Sequence, residues 1–157
     1  MLPLPEGKFD LVTCRVALHH FPDQAAAIRD WARALKPGGR LVLVDNIGPD
    51  DADACRYINA YETLRDPSHG WMYPLGELSE IVRAAGLKVE RAERLVKPML
   101  FYPWMERMQV SAADRERLTD LLWNSQGAAR AFLLPRGEGL DTTFSLREGV
   151  IRARKPG

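Results

Sequence analysis

The sequence predicts an α/β fold, in which helices pack on a mainly parallel β-sheet. Two short apolar runs, residues 9–18 and 40–45, lie on either side of a segment with helical periodicity. A Pro-Gly-Gly stop separates this segment from the second run. This order, a strand followed by a helix, a short turn and a second strand, is that of a βαβ unit, whose strands are parallel neighbours. The length of 157 residues fits one domain, 1–157, with a hydrophobic core of its own.

The elements of the first βαβ unit are predicted from the residues that flank them. Residues 9–18 form a short apolar run between Pro and Gly on one side and His-His-Phe-Pro on the other, which is typical of a buried strand. Asp23 is placed to cap a helix. The apolar positions of that helix recur with helical spacing at Ile28, Trp31, Ala32 and Leu35. Residues 36–39 end the helix, and residues 40–45 form the second strand.

The middle of the chain predicts two further helices and a third strand. Residues 54–64 have an amphipathic pattern that ends before Pro67. A second helix is predicted to begin near Leu75, with Gly86 at its C-terminal end. Apolar and polar side chains alternate along residues 87–96, which predicts a strand. The loop between the two helices, residues 66–74, is rich in polar and aromatic side chains and could act as a lid.

The remainder is predicted to be mostly helical before a last strand. Pro103 could open a short helix, and Ser111 with Asp114 resembles a capping box. Another short helix is predicted over residues 127–134. Residues 143–154 form the last strand, which we expect to break early near Glu148 and Gly149.

Composition excludes several classes of function. The 22 Lys and Arg residues balance 21 Asp and Glu residues, which gives no reason to expect nucleic acid or an acidic membrane surface as a partner. No apolar run reaches the roughly 18 to 20 residues that span a bilayer. The N-terminus has no signal-peptide pattern. Cys14 and Cys55 lack ligand spacing, so we expect no metal site and a cytoplasmic protein.

Three segments in this order and spacing carry a resemblance to a known family. They are residues 2–12, residues 19–23 (His-His-Phe-Pro-Asp) and residues 35–45 (Leu-Lys-Pro-Gly-Gly followed by a strand that ends in Asp). Together they resemble the second half of small-molecule class I S-adenosylmethionine-dependent methyltransferases, especially the group related to ubiquinone and menaquinone C-methyltransferases. The resemblance implies S-adenosylmethionine as cofactor. It also implies a Rossmann-like sheet of seven strands, of which this chain would supply the fourth to the seventh, with the last strand antiparallel.

The sequence departs from the family pattern in the part that holds the cofactor. It has no G-x-G-x-x-G loop and no counterpart of the acidic residues that would hold the ribose and adenine. The resemblance therefore covers only the C-terminal half of a methyltransferase domain, and most of the cofactor site is missing from this chain. The strand at residues 9–18 would then have one open edge. We expect a homodimer, or a complementing chain, to pair with that edge.

The resemblance also implies which residues form the site. Cys14, Arg15, Val16 and His19 are expected to contact the cofactor, although Cys14 to Val16 could simply finish a core strand. His20 and His69 are the candidate catalytic residues, because a histidine can remove a proton from the acceptor. Either could instead cap a helix or lie in a surface turn. The acceptor is expected to meet four side chains, those of Asp45, Asn46, Tyr61 and Trp71.

Three of the acceptor-binding candidates have a structural alternative. Asp45 could satisfy loop amides, Tyr61 could belong to the core, and Trp71 could lie in a surface turn and pack on neighbouring helices. Two functions therefore stay open at this point. The first is methyl transfer to a small-molecule acceptor. The second is a non-catalytic methyltransferase fragment that acts as an oligomerising or interaction module.

Overall fold

The computed structural model describes residues 3–157, which form a sheet with helices on both faces. The strands are β1 (Phe9–Arg15), β2 (Leu35–Asn46), β3 (Lys88–Leu100) and β4 (Thr143–Arg154). The helices are α1 (Gln24–Ala34), α2 (Ala52–Arg65), α3 (Leu75–Ala84), α4 (Phe101–Glu106), α5 (Ala112–Asn124) and α6 (Gly127–Leu133). Short 3-10 helices lie at Leu18–His20 and Gly139–Asp141. The α/β class is therefore confirmed.

The strand order in the sheet is β1-β2-β4-β3. β1 and β2 are parallel, as expected for a βαβ unit. β4 lies between β2 and β3 and runs antiparallel to both, so the predicted antiparallel last strand is confirmed. The carboxyl ends of β1, β2 and β3 consequently lie on the same side of the sheet.

The helix boundaries follow the predicted capping residues. The Asp23 carboxylate accepts a hydrogen bond from the Ala26 amide at 2.7 Å and starts α1. The Ser111 hydroxyl accepts from the Asp114 amide at 3.1 Å and starts α5. Gly86 follows α3 with φ of +83°, a left-handed conformation that glycine adopts without strain. Local sequence therefore fixes where these helices begin and end.

Several predicted strand features were wrong. β1 ends at Arg15 rather than at residue 18, because Val16 leaves the strand with φ of +49° and a 3-10 helix begins at Leu18. β2 begins at Leu35 and includes the Pro-Gly-Gly segment. β4 runs unbroken through Gly149, because β2 and β3 pair with it on both sides. A Cβ atom on Gly149 would lie 2.8 Å from Ile47 Cγ2, so this glycine permits close packing instead of breaking the strand.

The two faces of the sheet bury separate hydrophobic cores. Phe144 and Leu146 of β4 point into a core formed with α2, α4, α5 and α6. Ile151 and Ala153 of the same strand point into a second core, formed with α1 and α3. The positions differ in parity along the strand, which places the two cores on opposite faces. No helix within residues 3–157 is long and apolar enough to cross a membrane.

β1 is an edge strand of the sheet that the described residues form. Its only neighbour in that sheet is β2, so its other side presents unpaired backbone groups. Phe9 and Leu11, on the same face of β1, are 38% and 54% exposed. Such an apolar edge favours pairing with another strand.

Candidate functional site

A cavity of about 190 Å³ lies where β1 and β2 end. Val16 and Asn46 line it from the ends of these two strands. Its other walls come from the 3-10 helix after β1, the end of α2, β3, α4 and β4, through His19, His20, Glu62, Arg65, Asp66, His69, Lys97, Met99, Trp104, Arg107 and Leu146. The carboxyl ends of parallel strands are the usual position of ligand sites in open α/β sheets.

Val16 has a strained backbone at the mouth of this cavity. Its φ of +49° places a β-branched residue in the left-handed region, which such residues rarely adopt. The Val16 amide donates to the Val44 carbonyl at 2.8 Å, so the last contact with β2 holds the strained residue in place. Strain of this kind concentrates at functional sites, where it turns backbone groups toward a ligand.

His19 and Asp45 form a buried pair behind the cavity wall. The Asp45 carboxylate lies 2.5 Å from His19 Nδ1 and also accepts from the His19 amide at 3.0 Å. The Asn46 amide donates to the same carboxylate at 2.7 Å. Because Nδ1 is bound to Asp45, Nε2 is the ring nitrogen of His19 that remains available to accept a proton. Asp45 therefore both satisfies loop amides and orients an imidazole.

The other two histidines pack against His19. The ring centroid of His20 lies 4.1 Å from that of His19, and the ring centroid of His69 lies 5.6 Å from it. His20 Nδ1 donates to the Ser68 carbonyl at 2.9 Å. Burial, together with the charges of His19 and His20, lowers the pKa of His69 to about 4. His69 is therefore neutral at physiological pH.

Asn59 ties the loop that contains His69 to α2. Its side-chain oxygen accepts from His69 Nε2 at 2.9 Å and from the Met72 amide at 2.7 Å. Its amide nitrogen donates to the Met72 carbonyl at 3.1 Å. The same loop docks on the histidine turn, because the His19 carbonyl accepts from the Gly70 amide at 2.9 Å. A Cβ atom on Gly70 would lie 2.7 Å from that carbonyl oxygen, so only glycine fits there.

Glu62 is the more deeply buried of the two acids that line the cavity, Glu62 and Asp66. It is 4% exposed, and its Oε1 has no hydrogen-bond partner among residues 3–157. Burial raises the pKa of Glu62 to about 7, although the charges of Arg65 and His19 oppose the rise. Arg65 donates to the Trp104 carbonyl at 3.2 Å, and Lys97 lies 2.8 Å from Glu148, so both basic groups are held by other partners.

The structure brings together some of the residues predicted from sequence. Val16, His19, His20, Asn46 and His69 line one cavity, and Asp45 lies directly behind His19. The roles assigned to them stay predictions, since these contacts do not by themselves identify a ligand.

Four other predicted residues lie off the cavity wall. Cys14 is half-buried in β1, and burial together with Asp45 raises the pKa of its thiol to about 11. Arg15 is exposed beside it. Tyr61 is fully buried in the core and stacks on Trp104, with ring centroids 5.3 Å apart. Trp71 is 36% exposed and lines a separate groove with Phe21.

The sequence reasoning missed Glu62, Arg65 and Lys97. Glu62 had a usable signal, because it lies four residues after Ile58 on the apolar face of α2. A charge on such a face is unusual and marks a candidate site. Among residues 3–157, no group of three or more His, Cys, Asp or Glu side chains could hold a metal ion.

Comparison with known proteins identifies similar chains. Residues 2–92 match the family model described as a methyltransferase domain. An uncharacterized methyltransferase of Bacillus subtilis, YcgJ, is 34% identical over 157 residues, which cover 98% of this chain and 62% of YcgJ. The 27-O-demethylrifamycin SV methyltransferase of Amycolatopsis mediterranei is 39% identical over 162 residues, which cover 99% of this chain and 56% of that protein.

Solved structures show the same likeness. The crystal structure of YcgJ has a TM-score of 0.90 at 31% identity, and the match covers 100% of this chain and 68% of that one. The BH2331 protein from Bacillus halodurans has a TM-score of 0.93 at 29% identity, covering 100% of this chain and 74% of that one. The chain thus spans about six tenths of the length of YcgJ and of the rifamycin methyltransferase.

Proposed function

The chain belongs to the class I S-adenosylmethionine-dependent methyltransferase family, and we propose that it forms the acceptor side of a site for methyl transfer to a small-molecule hydroxyl group. The observation that carries this proposal is the cavity at the carboxyl ends of β1 and β2, with the His19–Asp45 pair beside it. The relative named for 27-O-demethylrifamycin SV supports an oxygen acceptor. The two unpaired cysteines support the reducing cytoplasm as its compartment.

S-adenosylmethionine, when bound, supplies a methyl group on a positively charged sulfur. We propose that its sulfonium end lies near Val16 and the start of the histidine turn, because Val16 has a strained backbone and lines the cavity. In the transfer, the acceptor oxygen forms a bond to the methyl carbon, and the carbon–sulfur bond breaks with its electron pair left on sulfur. His19 Nε2 takes the hydroxyl proton, because Asp45 holds Nδ1. The His20 ring packs at a tilt against the His19 ring, and His20 is the second candidate for this role.

The sequence has no G-x-G-x-x-G loop, so we propose that additional polypeptide completes the cofactor site. The open edge of β1 is where such polypeptide would pair, since its backbone groups have no strand partner among residues 3–157. In its absence, a second copy of this chain can occupy the same edge. The open edge is also the observation that favours an interaction module as a second candidate function.

Self-association through β1 gives a direct prediction. We expect the chain to form dimers in sedimentation velocity at micromolar concentration, and Leu11→Lys to shift it to monomer, because a charge on an edge strand opposes strand pairing. Leu140→Lys is the control, since Leu140 is 80% exposed and lies far from β1 in sequence. A monodisperse wild-type monomer would contradict the proposed edge pairing.

Binding of S-adenosylhomocysteine tests the proposed function. We expect calorimetric titration at millimolar ligand to give saturable heat with the wild-type chain. Asp45→Asn should weaken the binding roughly tenfold, because it removes one acceptor from the group that holds the histidine turn. Asp10→Asn is the matched control, since Asp10 is an exposed aspartate near the start of β1, where it pairs with Lys36. A cooperatively folded chain that gives no heat would show that this cavity does not bind the cofactor on its own.

A further inference from the structure

Two hydrogen-bond acceptors in the cavity wall have no donor in the part of the chain that the structure describes. The Glu62 Oε1 and Asn46 Oδ1 atoms are both buried there without a partner, and both residues line the cavity. Glu62 comes from the last turn of α2 and Asn46 from the end of β2, so they meet the cavity from different elements. Buried polar groups are nearly always paired, and each unpaired one costs free energy.

A structural role does not account for Glu62. A buried carboxylate is normally held by a cation, yet within residues 3–157 Glu62 forms no salt bridge. Arg65, one turn further along α2, donates instead to the Trp104 carbonyl. A carboxyl that is kept in a cavity without a protein partner is a candidate for binding a ligand.

The charges around the cavity restrict that ligand. Three basic side chains, Arg65, Lys97 and Arg107, line it together with the histidines, against the acids Glu62 and Asp66. This balance disfavours a cationic amine and suits a neutral or anionic molecule. A ligand that satisfies two acceptors must also donate hydrogen bonds, and a hydroxyl group does so without a positive charge.

We propose that Glu62, assisted by Asn46, binds a second hydroxyl group of the acceptor, while the first hydroxyl group faces His19. The acceptor is then a neutral or anionic compound with at least two hydroxyl groups. This inference rests on the proposed function for the identity of the reacting site, but Glu62 makes its contact independently of the methyl donor. With a pKa of about 7, the Glu62 carboxyl is mostly ionised in mildly alkaline solution, where both of its oxygens accept hydrogen bonds.

Three related probes test the hydrogen-bond requirement. Catechol has two hydroxyl donors, 2-methoxyphenol has one and 1,2-dimethoxybenzene has none. Met99 lines the cavity, so a chain labelled with ¹³C at the methionine methyl groups reports binding there by NMR. At pH 8 we expect the wild-type chain to bind catechol roughly tenfold more tightly than 2-methoxyphenol, and 1,2-dimethoxybenzene more weakly still.

Substitution of Glu62 then tests whether this residue causes the preference for catechol. Glu62→Met keeps the length of the side chain without its acceptors and should remove the preference for catechol, whereas Glu62→Gln should leave part of it. Replacing a buried unpaired charge by an apolar side chain does not endanger folding. The exposed Glu116→Gln is the control and should keep the wild-type ranking. An equal ranking of the three probes, or an unchanged preference in Glu62→Met, would overturn the assignment.

A parallel titration of the same samples with S-adenosylhomocysteine separates the two proposals. If S-adenosylhomocysteine binds but the probe ranking does not depend on Glu62, the role of Glu62 is refuted and the methyltransferase site stands. If the ranking depends on Glu62 and S-adenosylhomocysteine does not bind, the hydroxyl site stands and cofactor binding by this chain alone is refuted.

Discussion

Trp104→Ala is expected to lower the free energy of unfolding by about 3–5 kcal/mol, because it removes a large side chain from the centre of an aromatic cluster. Trp104 is 1% exposed. Its ring centroid lies 4.8 Å from that of Phe144, 5.3 Å from Tyr61 and 6.0 Å from Phe101. Truncation leaves a void among rings that cannot close around it, and it also removes one wall of the cavity. Urea denaturation followed by far-UV circular dichroism measures the loss.

Trp123→Ala is the matched control for this prediction. Trp123 is 36% exposed at the end of α5, so its truncation should cost less than about 1 kcal/mol. Similar losses for the two variants would mean that the aromatic cluster does not hold the helices on this face of the sheet.

The second large effect concerns Glu62 and pH. The pKa of Glu62 rises from 4.5 to about 7 on folding because the carboxyl is buried. The folded chain therefore keeps this proton in a range where the unfolded chain has lost it. The stability contributed by the protonated form is complete below pH 4.5, falls as the pH rises and is gone above pH 7. At about 1.4 kcal/mol per pKa unit, the loss is roughly 3 kcal/mol.

Glu62→Gln should remove this loss, since glutamine does not titrate. We expect the difference in unfolding free energy between Glu62→Gln and the wild type to change by roughly 3 kcal/mol in favour of the variant from about pH 4.5 to about pH 8. Glu116→Gln, on the exposed side of α5, should follow the wild-type profile throughout. Parallel profiles for Glu62→Gln and the wild type would show that Glu62 is not protonated by burial.

Much of the fold could be predicted because its signals are local. Asp23 and Ser111 each bond to an amide three residues later, so capping depends on a few neighbouring positions. The unbroken course of β4 through Gly149 could not be predicted in the same way. Glycine is typical of a break, and only the packing of Ile47 and Leu75 against it shows why the strand continues. Nonlocal packing overrides the local signal there.

In the site, too, some contacts could be predicted from sequence and others depend on nonlocal packing. The carboxyl ends of β1 and β2 could be predicted to converge, because the strands are parallel neighbours, and His19, Asp45 and Asn46 do converge there. The approach of His69 could not be predicted as a contact. It depends on Asn59 and on the docking of a loop that is distant from His19 in sequence. The position of Glu62 on the apolar face of α2 is a sequence signal, but the lack of a partner for its Oε1 among residues 3–157 is visible only in the structure.

We propose that the methyl donor binds where β1 and β2 end, and two-dimensional NMR of the ¹⁵N-labelled chain locates its binding site. During titration with S-adenosylhomocysteine, we predict the largest amide shifts at Val16, His19 and Asn46, with little change at Gln126 and Gly127, which line the separate groove between α2 and α6. Saturable shifts confined to that groove, or no shifts in a folded chain, would contradict the claim.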